Sequence, residues 1–570
     1  MKRWAAVEGV FVALTCVTFA RLMGATYGGS NHNPYLVHSL HSAHPDLLAA
    51  DWLTAQHPSP HPVFSWLSSW GMLISDTGVP FVVANLAASI VFVLLLWWLV
   101  RLVDSPSLLS VLMLLVALAG VTRTNDAMGS YVLTTYFQPS TVGGIGFIAA
   151  VCAFTAGRYF LSGLLLAFLG AFHLNYLALG FAVFGLAHLG LGRRALASRL
   201  LRQLGVPALV VMAFLPFLLV AGAGPDAERA RWILQIVRGP HHFIPELAQF
   251  RQFLGWHFLA AAATTPLWST SKRRALLLAL AATSTVVGSA AVVAVLGTPS
   301  VVAQMFPWRL APFSVLLCQL IFLVSAFEWA VRRVELLSLP RIGLALPGAW
   351  LVATTPSKIQ ALVVCVVATI VARAMFDWMA ARADRAASPN SAVQETVAEA
   401  VTSRPWSVTP RAGLLLCSLP AWLWLVTISP VRPIQAASLP EDYATLYEWT
   451  RQTDLDALFV IPPRLETFRL HGHRSVVVDW KAYPPDAAGI VEWYRRLELV
   501  TGRTDFTSRG QLVQGHAAME RERLNQIVQE FGADYLVLEH EAEASTRLDL
   551  PEVFSNRRFV VLSLATLAPG

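Results

Sequence analysis

Residues 24–79 form a long polar stretch between two apolar segments, and side chains capable of chemistry are concentrated there. Six of the chain's 15 histidines lie in it: His32, His38, His41, His44, His57 and His61. Because His38 and His41 are spaced i,i+3, one helical face would hold both. A zinc site also needs converging ligands held by further hydrogen bonds, and spacing alone shows neither. We therefore predict hydrogen-bonding roles, at an interface or to a substrate, for these histidines.

The same stretch is interpreted as one wall of an active site. A loop of this length is usually functional or disordered, and the aromatic residues interleaved in it argue against disorder. A further polar pair, His173 and Asn175, is placed at the outer end of a hairpin between two apolar segments. Polar side chains at such depth are costly unless they face a partner or a cavity. Helix packing and cavity lining both stay open for this pair.

A second set of candidates is basic and lies close to a predicted membrane surface. Its members are Arg231, Arg238, His241 and His242 in RWILQIVRGPHHFIP, and Arg309 at the start of a later apolar segment. Arginine binds phosphate oxygens through two parallel hydrogen bonds. We predict that this set holds a lipid phosphate. Ordinary anchoring at the headgroup layer is the alternative.

A third set of polar residues follows two predicted strands near the C-terminus. RSVVVDWKAYP places Asp479, Trp480 and Lys481 at the end of one strand, and IPPRLETFR places Arg469 after the strand before it. Folds that alternate helices and strands bind ligands at such strand ends. The two strand ends are predicted to form one polar cluster. It either recognises an acceptor or forms a salt-bridge network that joins this domain to the membrane part.

The composition is that of a polytopic membrane protein. Of 570 residues, 55% are hydrophobic and only 14% are charged, and the mean hydropathy is +0.56. The net charge of +7 comes from arginines and lysines in short loops between apolar runs, as membrane topology requires. Nucleic-acid binding is therefore excluded. The five cysteines all lie in apolar segments, which indicates neither a disulfide framework nor a thiolate metal site.

Apolar segments of roughly 20 residues predict an all-α membrane bundle of about thirteen transmembrane helices. The first, residues 4–23, lacks a convincing cleavage site and is interpreted as a retained helix. The other predicted spans lie near 80–100, 106–121, 139–157, 159–172, 174–191, 204–221, 255–269, 275–296, 311–330, 342–355, 359–379 and 412–430.

Basic residues set the predicted topology, because cytoplasmic loops carry an excess of arginine and lysine. The basic clusters alternate with loops poorer in positive charge, which places the N-terminus in the cytoplasm and the C-terminus outside. The outer loops are then 24–79, 122–138 and 222–254. The arginines of 222–254 conflict with this rule, which is a further reason to assign them to phosphate.

The chain divides into a transmembrane domain, residues 1–430, and a soluble extracytoplasmic domain, residues 431–570. The polar segment 384–411 has little apolar periodicity and is interpreted as a cytoplasmic linker. Helical and strand patterns alternate after residue 440, which predicts a small α/β domain with a largely parallel sheet. Neither a Gly-rich phosphate loop nor a dinucleotide fingerprint is found. Cytosolic nucleotide-sugar chemistry is therefore not predicted.

The chain resembles the glycosyltransferase-C (GT-C) superfamily, whose members combine many spans, a long acidic first outer loop and a C-terminal outer domain. Five stretches are also similar to a bacterial membrane-protein family of unknown function: NHNPYLVHSL, HPDLLAADW, RGPHHFIP, DALFVIPPRLETFRLHGHRSVVVDWKAYP and EWYRRLELVTG. That similarity runs from the first loop to about residue 502. The superfamily resemblance implies transfer of a sugar from a polyprenyl-phosphate-linked donor at the outer face of the bacterial inner membrane.

The resemblance also implies an acidic residue of the first outer loop that serves as base or metal ligand. Asp51 in HPDLLAADW matches this position, with Asp46 as the alternative. A carboxylate suits the role because an attacking hydroxyl needs a proton acceptor within hydrogen-bonding reach. The competing interpretation is a solvated surface aspartate. In the second outer loop Asp126 is a weak metal candidate, and no cofactor is assigned beyond an open divalent cation.

Two classes of function remain at this stage. The first is a GT-C-like glycosyltransferase that contacts the lipid bilayer and a polyprenyl-linked donor and passes a sugar to an envelope acceptor. The second is a non-catalytic membrane protein, such as a lipid or glycan transporter or an envelope-assembly partner. A transporter predicts ionisable residues along a path through the membrane. Few charges lie within the predicted spans, which favours the enzyme. The sugar, the acceptor and the oligomeric state stay open.

Overall fold

The structure is a computed structural model. It describes residues 2–29, 31–75, 77–103, 131–221, 224–239, 247–264, 270–295, 306–332, 347, 349–351, 434–435, 439–504, 506, 509–539 and 548–567. The predicted spans near 106–121, 359–379 and 412–430 lie outside these residues. So do the predicted linker 384–411 and nearly all of the predicted span 342–355.

Apolar helices dominate the first part of the chain. In chain order they are α1 (Lys2–Met23), α2 (Asn33–Ala43), α3 (Trp52–Gln56), α4 (Pro62–Ile74), α5 (Val79–Val103), α6 (Pro139–Thr155), α7 (Tyr159–Gly170), α8 (Leu174–Gly190), α9 (Leu196–Ala221), α10 (Ala227–Trp232), α11 (Leu247–Ala263), α12 (Ser271–Val295) and α13 (Ala311–Arg332). A π-helical turn, Ile233–Arg238, extends α10, and a 3-10 turn, Pro307–Leu310, leads into α13.

Several of these helices have the length and composition of membrane spans, which indicates a membrane protein. Within the described residues four segments qualify: Val79–Val103, Leu196–Leu215, Ser271–Val292 and Pro307–Ser325. Shorter apolar helices lie at Val12–Met23, Pro139–Thr155, Tyr159–Gly170 and Leu174–Gly190. All eight fall where the sequence predicts spans. The total of about thirteen is not confirmed and stays a prediction.

α6 is the central helix of the bundle and is buried at nearly every position. Glycines on it allow the neighbouring helices to approach closely. A Cβ on Gly143 would lie 2.7 Å from the ring of Tyr176 on α8, and one on Gly144 would lie 2.9 Å from the ring of Phe313 on α13. Both positions therefore require glycine. This close packing brings the starts of α8 and α13 together.

The helix ends lie on two opposite sides of the bundle. Arg273 at the start of α12 donates from Nε to the carbonyl oxygen of Val103 at the end of α5, at 2.7 Å. The next residue, Arg274, donates to the carbonyl oxygen of Gly190 at the end of α8, at 3.4 Å. These basic ends therefore lie on one side of the bundle. The starts of α5 and α8 lie at the other side.

The stretch 24–79 is mostly helical and well packed. It contains a short strand β1 (Ala25–Thr26) and the helices α2, α3 and α4. Leu36 of α2 and Phe64 of α4 are fully buried together with Phe81 of α5, in a cluster that also includes Leu470 from the C-terminal domain. The stretch is therefore an ordered layer between the apolar helices and that domain.

The C-terminal domain is built around a sheet, as the sequence predicts. It follows a short strand β2 (Ile434–Gln435). In chain order its elements are α14 (Glu441–Arg451), β3 (Leu458–Val460), α15 (Phe468–Gly472), β4 (Ser475–Val476), α16 (Ala487–Thr501), α17 (Arg509–Ala517), α18 (Arg521–Phe531), β5 (Tyr535–Glu539), β6 (Glu552–Ser555) and β7 (Phe559–Ser563). Trp493 of α16 and Ile527 of α18 pack on Leu536 of β5 in one apolar core.

The sheet is mixed, so the prediction of a largely parallel sheet is wrong. The strand order is β4-β3-β5-β7-β6. β3 pairs in parallel with β4 and β5, whereas β7 pairs antiparallel with β5 and β6. The reason is local: β6 and β7 form a hairpin, closed by the carbonyl oxygen of Phe559 accepting from the backbone N–H of Asn556 at 2.9 Å. The two strands of a hairpin run antiparallel to each other, so the β6–β7 pair cannot be parallel.

β1 and β2 form a separate two-stranded parallel pair. Ala25 lies opposite Ile434, and Thr26 lies opposite Gln435. The residues just after α1 are thus hydrogen-bonded to the residues that lead into the C-terminal domain. The two strands must lie on the same side of the apolar bundle.

Candidate functional site

Histidines, tyrosines and arginines from six parts of the chain meet where the loops, the bundle and the C-terminal domain come together. We call this group the aromatic–basic cluster, and its members are Tyr35, His61, Tyr131, His173, Tyr176, Arg238, Arg309 and Tyr483.

The histidines of the cluster are placed by helix starts. His61 directly precedes Pro62, the first residue of α4, and His173 directly precedes α8. Their ring centroids are 4.9 Å apart. Tyr35 on α2 stands 5.3 Å from His61, and Tyr176 on α8 stands 5.2 Å from His173. A continuous line of four rings therefore runs from the stretch 24–79 to the bundle.

Arg309 lies next to this line of rings. It belongs to the 3-10 turn that begins α13, after Phe306, whose φ of 45° turns the chain sharply. Its guanidinium is within electrostatic range of the hydroxyls of Tyr176 and Tyr35. Its Nε is buried and has no hydrogen-bond partner among the described residues.

Arg238 approaches the cluster from the other side, at the end of the π-helical turn. It stands 5.6 Å from the ring centroid of Trp480 and 5.3 Å from that of Tyr483. Its Nη2 donates to the carbonyl oxygen of Lys481 at 3.3 Å. Tyr35 is within electrostatic range of both Arg238 and Arg309.

The two arginines carry charge that the described residues do not balance. Neither Arg238 nor Arg309 forms an ion pair with any aspartate or glutamate in those parts of the chain. The buried Nε atoms of both have no hydrogen-bond partner there. Unpaired buried donors are costly. An anion is the ligand that this arrangement fits.

Two further buried polar atoms in this region have no hydrogen-bond partner among the described residues. Gln138 is fully buried and donates from Nε2 to the hydroxyl of Tyr131 at 2.6 Å, while its Oε1 has no partner within the described residues. His173 is also buried, and its Nδ1 has no partner in the same set. A ligand that combines anionic oxygens with hydroxyl groups would satisfy all these atoms.

Burial determines the charge states of His61 and Tyr35 in the aromatic–basic cluster. It lowers the pKa of His61 from 6.5 to about 3, with the charge of Arg309 as a further cause. It raises the pKa of Tyr35 from 10.0 to about 12, with Tyr131 as a further cause. At neutral pH His61 is therefore an uncharged imidazole and Tyr35 keeps its proton. The positive charge of the cluster comes from its arginines.

A second polar group, which we call the buried ion-pair cluster, consists of Asp51, Arg469, Asp479 and Asn33. Arg469 is only 1% exposed and Asp51 is 0% exposed. The Nε of Arg469 donates to Oδ2 of Asp51 at 2.6 Å, and its Nη1 donates to Oδ2 of Asp479. The Nδ2 of Asn33 donates to the same Asp479 oxygen at 2.9 Å. These contacts join the stretch 24–79 to the C-terminal domain.

Both carboxylate oxygens of Asp51 are occupied. Oδ1 accepts from the backbone N–H of Leu53 at 3.1 Å and caps α3. Oδ2 accepts from the N–H of Val476 at 3.0 Å in addition to Arg469. A carboxylate that is buried and hydrogen-bonded in this way holds structure together. Asp46, the alternative base, lies exposed in the turn before α3.

The ion-pair cluster also positions the aromatic–basic cluster. Oδ1 of Asp479 accepts from the backbone N–H of Lys481 at 2.6 Å and of Ala482 at 2.8 Å, which fixes the turn that carries Tyr483. On the other side, Asn33 lies two residues before Tyr35 on α2. Asp479 therefore orients both tyrosines through the backbone that supports them.

The remaining predicted site residues are placed as follows. Arg231 is half-buried on α10, and its Nε has no hydrogen-bond partner among the described residues. His241, His242 and Asp126 lie outside the described residues. Three or more metal-binding side chains do not converge anywhere in the described part of the chain.

Sequence reasoning identified Arg238, Arg309 and His173 but not the tyrosines of the cluster. Tyr35 stands in NHNPYLVHSL and Tyr483 in VVVDWKAYP. The available signal was an aromatic residue inside each otherwise polar stretch. Nothing local in the sequence shows that residues so far apart meet.

Comparison with known proteins gives one result for this region. Residues 441–500 match the family model of a domain of unknown function, DUF6798. The matched segment includes Arg469, Asp479 and Tyr483, so it carries the C-terminal parts of both clusters. No curated protein matches the chain.

Proposed function

We propose that the protein is a GT-C-like membrane glycosyltransferase that moves a sugar from a polyprenyl-phosphate-linked donor to an envelope acceptor. The observation that carries this proposal is the pair Arg238 and Arg309. Both are in a cluster of aromatic rings, and the described residues offer neither of them a carboxylate. We place the site at the outer face of the bacterial inner membrane, with the N-terminus in the cytoplasm.

Three observations support this placement. The β1–β2 pair and the buried ion-pair cluster join the first outer loop to the C-terminal domain. The basic start of α12 contacts the opposite ends of α5 and α8. The resemblance to the GT-C superfamily supplies the reaction class. The proposed protein has a bundle of about thirteen transmembrane helices.

Each part of the cluster has a role in this reaction. The arginines bind the donor phosphate and stabilise the charge that it gains when the bond between the sugar and the phosphate oxygen breaks. The phosphate leaves with the bonding electron pair, and an acceptor hydroxyl forms the new bond to the sugar carbon. Tyr35 and Tyr483 offer aromatic faces and hydroxyls to a sugar ring. The neutral imidazole of His173, whose Nδ1 lacks a partner among the described residues, accepts the proton of that hydroxyl.

This assignment moves the base away from Asp51. Its carboxylate already accepts three hydrogen bonds, one of them from a buried arginine. We assign to it the attachment of the C-terminal domain. A site that binds the donor without transferring the sugar, as in a transporter or an assembly partner, is the alternative function.

The test is transfer of labelled sugar from a polyprenyl-phosphate donor by the purified full-length protein in liposomes, with an envelope extract as acceptor. We expect transfer by the wild type and its loss in Arg309→Met. Arg158→Met is the matched control, since Arg158 is exposed at the end of the bundle away from the cluster. Donor binding without any transfer by the wild type would support the transporter. Neither binding nor transfer would contradict the proposal.

A further inference from the structure

Helix α4 exposes an apolar face. Its sequence PVFSWLSSWGMLI contains no charged residue. The side turned inward consists of Phe64, Ser65, Ser68 and Met72. The side turned outward consists of Trp66, Leu67, Trp70, Leu73 and Ile74, which are 64%, 42%, 56%, 59% and 77% exposed. Spacings of three and four residues place these five on one side of the helix.

This apolar face continues into the surface of a candidate membrane span. α5 begins five residues after α4 ends, and its first turns expose Val79 and Val83. α5 is the most hydrophobic of the four candidate spans, so its exposed side chains face lipid. The exposed residues of α4 are thus an extension of a lipid-facing surface. A patch of this kind that stayed in water would be unfavourable.

The residue types indicate which layer of the membrane is contacted. Trp66 and Trp70 stand side by side, with ring centroids 6.3 Å apart. Tryptophan is enriched at the boundary between headgroups and acyl chains, where its ring is buried and its N–H stays near water. The helix has 13 residues, which is too short to cross a bilayer. A helix that lies in the plane of this boundary accounts for the exposed apolar face, the two tryptophans and the short length of α4.

We propose that α4 lies in the headgroup–acyl boundary of the outer leaflet, with the face formed by Trp66, Trp70 and Ile74 inserted into lipid. The partner of this surface is the bilayer itself. Because His61 directly precedes α4 and contacts His173, the helix also forms the lipid-side border of the aromatic–basic cluster. This inference rests on exposure and residue type and does not depend on the reaction.

The experiment is spin-label accessibility on the full-length protein in liposomes. Single cysteines replace Trp66 and Trp70 in a background where the five native cysteines are alanine, and each is labelled with a nitroxide. Val91→Cys, exposed on α5, is the lipid control, and Leu455→Cys, exposed on the C-terminal domain, is the water control. Collision rates are measured with oxygen, which partitions into lipid, and with an aqueous nickel complex.

We expect labels at positions 66 and 70 to collide several times more often with oxygen than with the nickel complex, as at position 91. Rates like those at position 455 would overturn the proposal, because the face would then be in water. Low rates with both reagents would also overturn it, because the face would then be covered by protein.

A second measurement needs no cysteine-free background. The fluorescence of the wild type and of the double variant Trp66→Phe/Trp70→Phe is quenched in liposomes by lipids brominated near the headgroup end of the acyl chain. We expect the double variant to lose part of the quenchable fluorescence. The control Trp493→Phe removes a tryptophan buried in the C-terminal domain and leaves the quenchable part unchanged. Equal quenchable fluorescence in the wild type and the double variant would overturn the proposal.

Discussion

Arg469 Nε lies 2.6 Å from Oδ2 of Asp51, although the two residues are 418 positions apart in the chain. Both side chains are buried, and the same guanidinium also contacts Asp479. One cation thus holds two carboxylates, one from the stretch 24–79 and one from the C-terminal domain. This contact explains the position of Asp51. Its loop has the composition of an active-site wall, but Asp51 faces neither solvent nor the arginines of the aromatic–basic cluster.

Replacing Arg469 is expected to loosen the C-terminal domain. Arg469→Met removes the cation and leaves Asp51 and Asp479 buried without it, and breaking a buried pair in this way costs about 3–5 kcal/mol. We expect a clearly lower unfolding temperature, measured in detergent by tryptophan fluorescence. Arg557→Met is the control, because its pair with Glu441 is exposed and worth about 0–1 kcal/mol. Equal unfolding temperatures for the two variants would contradict a structural role of Arg469.

Asp51→Asn separates the structural role from the catalytic one. Asparagine keeps the shape but removes the charge that Arg469 needs, so we expect the unfolding temperature to fall. Donor binding and transfer per folded molecule should then remain. Both quantities are measured below the unfolding transition. If Asp51→Asn stays as stable as the wild type and loses transfer, Asp51 is the base. Asp46→Asn is the matched control, because Asp46 is exposed in the turn before α3.

Arg309 is expected to dominate binding of the anionic headgroup. Arg309→Gln removes hydrogen bonds to a charged group, each worth about 1.5–3 kcal/mol, so a polyprenyl phosphate should bind at least about 10-fold more weakly. Arg309→Lys keeps the charge without the paired donors and should give an intermediate affinity. The affinity is measured by titration of a fluorescent short-chain prenyl phosphate in detergent. Wild-type affinity in Arg309→Gln would remove Arg309 from the site.

Buried neutral histidines make the protein sensitive to acid. Burial lowers the pKa of His38 from 6.5 to about 4 and that of His32 to about 3. Below pH 6.5 the unfolded chain takes up protons that the folded chain refuses, so stability falls as the pH drops from 6.5 towards these lower values. At pH 5 the loss is about 2 kcal/mol for each such histidine.

Unfolding temperatures between pH 8 and pH 5 check this expectation. The temperature should be level above about pH 6.5, where the unfolded histidine is neutral, and should fall below it. His38→Gln should flatten the fall, since the variant has one titrating group fewer. An unchanged pH profile in His38→Gln would show that His38 is charged in the folded protein.

The sequence predicted the local features of the fold well. Apolar length alone located α5 and α13, and the alternation of helical and strand patterns after residue 440 located the domain that contains β3, β4 and β5. The antiparallel half of the sheet was missed because β6, residues 552–555, is short and mostly exposed. Its link to β7 is only three residues, Asn556, Arg557 and Arg558, and contains no glycine, so the local sequence lacks a strong hairpin signal.

The site was predictable only in part, for a physical reason. Arg238 stood out because positive charge in the predicted outer loop 222–254 conflicts with the usual topology, and Arg309 because it starts a predicted span on the same side. The partner of Asp51 could not be predicted, because a catalytic carboxylate and a carboxylate buried against an arginine have the same local sequence. Only the long-range contact with Arg469 distinguishes them. The tyrosines of the cluster were missed for the same reason.

Gly163 on α7 is expected to tolerate no side chain. A Cβ there would overlap the carbonyl oxygen of Gln203 on α9. Gln203 also donates from Nε2 to the Ser162 hydroxyl at 2.8 Å, and its Oε1 lies 2.6 Å from Nε2 of His188. Gly163→Ala would push α9 away and break both contacts inside the apolar bundle, where polar atoms have few other partners.

Overpacking of this kind costs about 1–3 kcal/mol, so Gly163→Ala should lower the unfolding temperature. Gly185→Ala on α8 is the matched control, because a Cβ at that position meets nothing within 4 Å. Alanine is the better helix former by about 1 kcal/mol, and the control should therefore be neutral or slightly stabilising. If the two variants unfold at the same temperature, α7 and α9 are not in the close contact that places Gln203 against Ser162.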